Sequence, residues 1–74
     1  MNLVTGATGF IGQHVVDHLL LQGHEVRVLT RGSNPVPELW HNRLEVIYGE
    51  LSDHDAVRKA VKGCHTVYHL AAEI

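Results

Sequence analysis

Thr5-Gly6-Ala7-Thr8-Gly9-Phe10-Ile11-Gly12 follows a short apolar run, Leu3-Val4, and leads straight into a helical periodicity from Phe10 to Gln22. A strand, a glycine-rich turn and an amphipathic helix in series are the context in which such a turn cradles the phosphates of a nucleotide. Gly6 permits the sharp exit from the strand, where a Cβ would clash. Gly9 lets the backbone approach a pyrophosphate, and Gly12 lets the helix pack close to the sheet. The ligand's negative charge would meet free N–H groups and the positive end of the helix dipole. Along the helix, Ile11, Val15 and Leu19 form one apolar row and Gly12, Val16 and Leu20 the adjoining one. Gln13, His14, Asp17 and His18 fall on the opposite side, and Gly23 stands at the expected stop.

Outward from this stretch, strand and helix signals alternate. Val26-Arg27-Val28-Leu29 reads as a second strand. Residues 31–43 carry Gly, Asn and both prolines, which predicts a loop with one helical turn at Glu38–His41. Leu44-Glu45-Val46-Ile47-Tyr48 is β-branched and aromatic, a third strand. Ser52 with Asp55 three residues later is a capping-box spacing that opens a helix to Lys62, with Gly63 closing it. Asp53 and Asp55 lie at its positive end, and Arg58, Lys59 and Lys62 at its negative end. Thr66-Val67-Tyr68-His69-Leu70-Ala71 is a fourth strand. Strands joined by helices and loops make a parallel sheet with right-handed crossovers. The simplest order is 3-2-1-4, so the fold class is α/β, part of a doubly wound parallel sheet of the Rossmann type.

Composition bounds the partners. The 74 residues are 45% apolar and 19% charged, with a net charge of −2, room for one small core. Six basic residues against eight acidic ones leave no footprint for nucleic acid or an anionic membrane surface. No apolar run exceeds three residues, far short of the roughly 20 that a spanning helix needs. The chain opens Met1-Asn2-Leu3-Val4 and reaches the glycine-rich turn at once, so no leader is expected in front of it. Cys64 is the only cysteine, so no internal disulfide forms, and a reducing, cytoplasmic setting is expected.

Thr5-Gly6-Ala7-Thr8-Gly9-Phe10-Ile11-Gly12 has the spacing Gly-x-x-Gly-x-x-Gly and resembles the extended short-chain dehydrogenase/reductase family of NAD(P)-dependent epimerases, dehydratases and reductases. Tyr48-Gly49-Glu50-Leu51-Ser52-Asp53 is similar to that family's Gly-Asp-Leu-x-Asp, and Val67-Tyr68-His69-Leu70-Ala71-Ala72 to its Val-x-His-Leu-Ala-Ala. The resemblance covers the whole chain but about the N-terminal quarter of a typical member. It implies that residues 1–74 are the N-terminal part of a dinucleotide-binding domain, without the substrate region. By the same resemblance Gly6, Gly9, Phe10, Ile11 and Gly12 hold the pyrophosphate, largely through backbone groups. Glu50 and Leu51 flank the adenine, with Glu50 standing where the family usually has Asp, and Leu70, Ala71 and Ala72 line the path toward the nicotinamide ribose.

The cofactor's identity turns on the end of the second strand. An NAD-preferring site places an acidic residue about 20 residues beyond the glycines to hold the ribose 2′-hydroxyl. Here that place falls on Thr30, followed by Arg31, and no acidic residue lies between Glu25 and Glu38. Arg31 suits a 2′-phosphate through charge-assisted hydrogen bonds, with Ser33 adding a hydroxyl. NADP(H) is therefore expected over NAD(H).

Seven histidines invite a metal reading, and His14 and His18 are spaced as a pair with Asp17 beside them. No third ligand is spaced to join them, so no metal site is expected. His69 reads as a packed strand residue, and Cys64 as a packing residue rather than a nucleophile. The family's chemistry needs a Tyr-x-x-x-Lys pair with a Ser or Thr, but Ser52 follows Tyr48 and Ala72 follows Tyr68 at that spacing. No catalytic residue is expected within these residues. Three functions stay open: the N-terminal part of an NADP-dependent enzyme acting on a small molecule, a non-catalytic dinucleotide module that senses redox state, and a chain completed by association. The outer fourth strand has no Pro, Lys or acidic residue before Glu73, and a homo-oligomer is expected through that edge or the sheet face beside it.

Overall fold

A computed structural model describes residues 1–31 and 36–70. The chain runs β1 (Asn2–Thr5), α1 (Phe10–Leu21), β2 (Val26–Thr30), a 3-10 turn (Glu38–Asn42), β3 (Glu45–Tyr48), α2 (His54–Val61) and β4 (Thr66–His69). The strands form one sheet in the order β3-β2-β1-β4, and every pairing is parallel. This is the expected α/β topology.

Alternation along the strands divides the core between the two sheet faces. Val4, Val26 and Val28 meet Val16 and Leu19 of α1 on one face, together with Trp40 of the 3-10 turn. Leu3 and Leu29 meet Ala60 of α2 on the other. β1, paired on both sides and covered on both faces, is buried throughout, as a central parallel strand must be. Among the described residues no helix is long and apolar enough to cross a membrane.

Several local expectations shift. Ile11 does not join the core; it is 66% exposed. The buried line of α1 runs through Gly12, Val16 and Leu19, an i, i+4, i+7 stripe narrower than the two apolar rows. Ile11 falls beside it, in a groove shared with Val15, His18 and Tyr68. The cap of α2 is Asp53, not Ser52: Asp53 Oδ1 accepts from the amides of Asp55 at 3.0 Å and Ala56 at 3.2 Å. The helix therefore starts at His54 and ends at Val61, with Lys62 as its C-cap. α1 stops at Leu21, with Gln22 as C-cap. β3 begins at Glu45, and β4 ends at His69; Ala71 lies outside the described residues. The expected helical turn is present directly after the second proline, and it carries Trp40 into the core at 3% exposure.

Arg27 ties the second layer to the sheet. From β2 its Nη1 donates to the carbonyls of Ala60 at 2.8 Å and Lys62 at 2.6 Å, at the C-terminal end of α2. Its Nε lies 2.8 Å from Glu45 Oε1 on β3, an ion pair without hydrogen-bond alignment. Cys64 packs half-buried beside it and donates its thiol hydrogen to Ala60 O at 3.3 Å.

Candidate functional site

All four strands point the same way, so their carboxyl ends gather on one edge of the sheet. From β1 the chain crosses to β2 by α1 on one face, and from β3 it returns to β4 by α2 on the other. The order reverses between β1 and β4, the switch point at which open parallel sheets take their ligands. The glycine-rich turn leaves β1 there.

The three glycines do different work. Gly6 takes φ +73°, a conformation L side chains rarely adopt, and its carbonyl accepts from Gly9 N at 3.2 Å to close the turn. At Gly12 a Cβ would overlap the Gly6 carbonyl oxygen and come within 2.7 Å of Ala7 Cα. The close approach is thus of the helix to the turn rather than to the strands of the sheet, a correction to the expected role. Gly9 has an ordinary extended backbone at φ −73° and ψ 167°. A Cβ there would lie 3.5 Å from Gly6 O, ordinary contact, so nothing within the described residues requires glycine at that position.

Gly9 is also the N-cap of α1, and it offers no side chain to the helix's free amides. The first intrahelical bond runs from Gln13 N to Gly9 O at 2.9 Å. The amides of Phe10, Ile11 and Gly12 have no protein acceptor among the described residues, and the first turn holds no acidic residue. Phe10 is 80% exposed at this end, its ring edge-on to His14 at 4.7 Å between centroids. Unpaired donors at a helix N-terminus without a resident carboxylate make an anion site. The donor set and the open side of Gly9 fit a pyrophosphate.

The other expected positions stand along the same edge. Arg31 follows directly on β2 and is exposed. Gly49 N donates to Thr30 O at 2.9 Å, which joins the ends of β3 and β2. Glu50 and Leu51 come next, both exposed, with Glu50 O accepting from Asp53 N at 2.9 Å. Leu70 leaves β4 half-buried, its amide donating to Thr5 O at 3.0 Å. Ser33, Ala71 and Ala72 lie outside the described residues. The final acid of the segment 49–53, Asp53, is occupied in capping α2.

His14 and His18 are exposed on α1, and among the described residues no three His, Cys, Asp or Glu side chains gather as metal ligands. One contact escaped the sequence reading. His69 is exposed rather than packed, and its Nδ1 lies 2.7 Å from Thr5 Oγ1 at the switch point. The parallel register pairs these two residues directly, a relation that becomes legible only once the strand order is known.

A sequence profile of the NAD dependent epimerase/dehydratase family matches residues 2–74. The chain is 42% identical over 72 residues to a 3-beta-hydroxysteroid dehydrogenase of Mycolicibacterium neoaurum, covering 97% of this chain and 19% of that protein. It is 43% identical over 72 residues to a 3 beta-hydroxysteroid dehydrogenase/Delta 5-->4-isomerase of Mycobacterium tuberculosis, again covering 97% and 19%. A crystal structure of a short-chain dehydrogenase/reductase superfamily protein from Agrobacterium tumefaciens with bound NAD superposes at a TM-score of 0.79. That match has 35% identity and covers all of this chain and 21% of the other. The chain thus spans about a fifth of the length of the relatives it matches.

Proposed function

The chain belongs to the NAD dependent epimerase/dehydratase family, and from that premise we propose that residues 1–74 are the N-terminal part of a dinucleotide-binding domain, in a longer enzyme that uses NADP(H). The observation that carries this reading is the N-terminus of α1 at the switch point. Its amides at Phe10, Ile11 and Gly12 are unpaired among the described residues, and Gly9 is open on its outer side.

In this reading those amides, with the turn from Gly6 to Gly9, hold the pyrophosphate. Glu50 and Leu51 flank the adenine, and Leu70 with Ala71 and Ala72 line the way to the nicotinamide ribose. Arg31 meets the 2′-phosphate, where a carboxylate would repel it. Bound NADP(H) would supply hydride exchange. The chain's own residues position the dinucleotide and contribute no acid–base pair, because neither Tyr48 nor Tyr68 has a lysine four residues on. Proton transfer and substrate recognition belong to the remainder of the longer protein. The 74-residue chain is expected to pair with a second copy along β4.

Calorimetric titration of NADP and NAD against the chain and its Arg31→Ala variant tests the cofactor assignment. NADP should bind more tightly, and the substitution should remove that preference. Equal affinities untouched by R31A would sink it. Adenosine 2′,5′-bisphosphate should keep most of the affinity of NADP, since the described edge supplies mainly the adenosine and pyrophosphate end.

A further inference from the structure

The turn read as the anion site starts at Gly6, whose φ of +73° is reached freely only by glycine, a residue with no side chain to fix the direction in which the chain leaves the sheet. Besides the Gly9–Gly6 hydrogen bond and the packing at Gly12, the preceding residue can set that direction. Thr5 is 3% exposed, and its carbonyl and hydroxyl are both held by consecutive residues at the end of β4, His69 and Leu70. Leu70 N donates to its carbonyl at 3.0 Å, and His69 Nδ1 lies 2.7 Å from its hydroxyl. Thr5 is β-branched and stiff about χ1, so a hydrogen bond at its hydroxyl also orients its backbone. Without His69, that hydroxyl would be buried with no partner among the described side chains.

We propose that Thr5 and His69 form a positioning pair for the phosphate-binding turn. The Thr5–His69 hydrogen bond fixes the last peptide of β1, and with it the direction in which the amides of Phe10, Ile11 and Gly12 face the ligand. The inference rests on the reading of residues 6–12 as the phosphate site and adds to it a side chain from the far end of the chain. Groups that orient a binding constellation must themselves be held, and a hydrogen bond behind the site does this. Coupling is reciprocal: an anion on the turn is felt at the His69 ring.

The test is NADP titration of the 74-residue chain and the variants Thr5→Ser, Thr5→Val, His69→Phe and the double T5V/H69F, well below the unfolding temperature. T5V and H69F should each weaken NADP binding about fivefold, and the double variant no more than the weaker single. T5S, which keeps the hydroxyl but not the β-branch, should bind NADP more tightly than T5V and less tightly than the unaltered chain. The His69 ring resonances should move when NADP is added to the unaltered chain. NADP affinity unchanged in T5V and H69F, with only the thermal midpoint lowered, would reduce the pair to a sheet staple and overturn the proposal alone. Absence of NADP binding by the unaltered chain would remove the phosphate-site reading and this proposal together.

Discussion

Gly9 and Gly12 lie one helical turn apart, yet a methyl group added to each has opposite consequences. At Gly12 the new Cβ meets backbone atoms of Gly6 and Ala7 that cannot rotate away. Gly12→Ala should therefore destabilise the fold by about 2–3 kcal/mol through overpacking, read by urea denaturation. At Gly9 the new Cβ finds ordinary contact distance and an accessible φ. Gly9→Ala should leave stability within about 1 kcal/mol and weaken NADP binding about tenfold or more, because the backbone can no longer approach the phosphates. A Gly9→Ala chain that binds NADP as well as the parent would separate the turn from the phosphate. The glycines between a strand signal and a helical periodicity were enough to place the turn between β1 and α1. That packing requires glycine at position 12 and not at position 9 became visible only when a Cβ could be placed at each. The place of Arg31 directly after β2 was legible for a different reason: the count from the glycines led to Thr30, where β2 ends, and Arg31 follows it.

α2 is held at both ends by groups that local pattern reading treats unequally. Its N-terminus is capped by Asp53, and Asp53→Ala should cost about 1 kcal/mol. Its C-terminal carbonyls are reached by Arg27 from β2, and Arg27→Leu should cost about 2 kcal/mol by removing charge-assisted hydrogen bonds to Ala60 and Lys62. Hydrogen exchange distinguishes the two. R27L should speed exchange of α2's amides even where global stability is matched with denaturant, and unaltered exchange would count against the tether. Ser52 and Asp53 are adjacent and both are good caps, so sequence placed the helix start within one residue and no better. Arg27 could not be read at all, since its acceptors lie 33 and 35 residues along the chain. Trp40 was hidden for the same reason. Its two-proline surroundings announce a loop, and only the packing of that loop over Val4 and Val28 makes it part of the core. Element types survive such surprises because strand and helix periodicity are local, whereas burial and partner choice are not.

At the scale of the molecule, β4 pairs with β1 alone among the described strands. Val67 on its outward run is 50% exposed, and no charge on Thr66–His69 blocks another strand. The 74-residue chain is expected to self-associate along this edge, and Val67→Lys to shift it toward monomer in sedimentation velocity at tens of micromolar. A monodisperse parent with a sharp thermal transition would refute the expectation. The strand order was legible because alternating elements with right-handed crossovers leave few arrangements, and the reversal between β1 and β4 followed from it. That reversal has a consequence for how the protein is made. β1 is synthesised before either of its neighbours, and its second neighbour is 64 residues away, as the Thr5–His69 contact records. At ordinary rates of translation the interval between them is roughly 3–13 s, long compared with helix formation or hairpin closure. Throughout that interval β1 can be paired on one side only. The one strand of the sheet that is buried at every residue is therefore the central strand that waits longest for its second partner during synthesis.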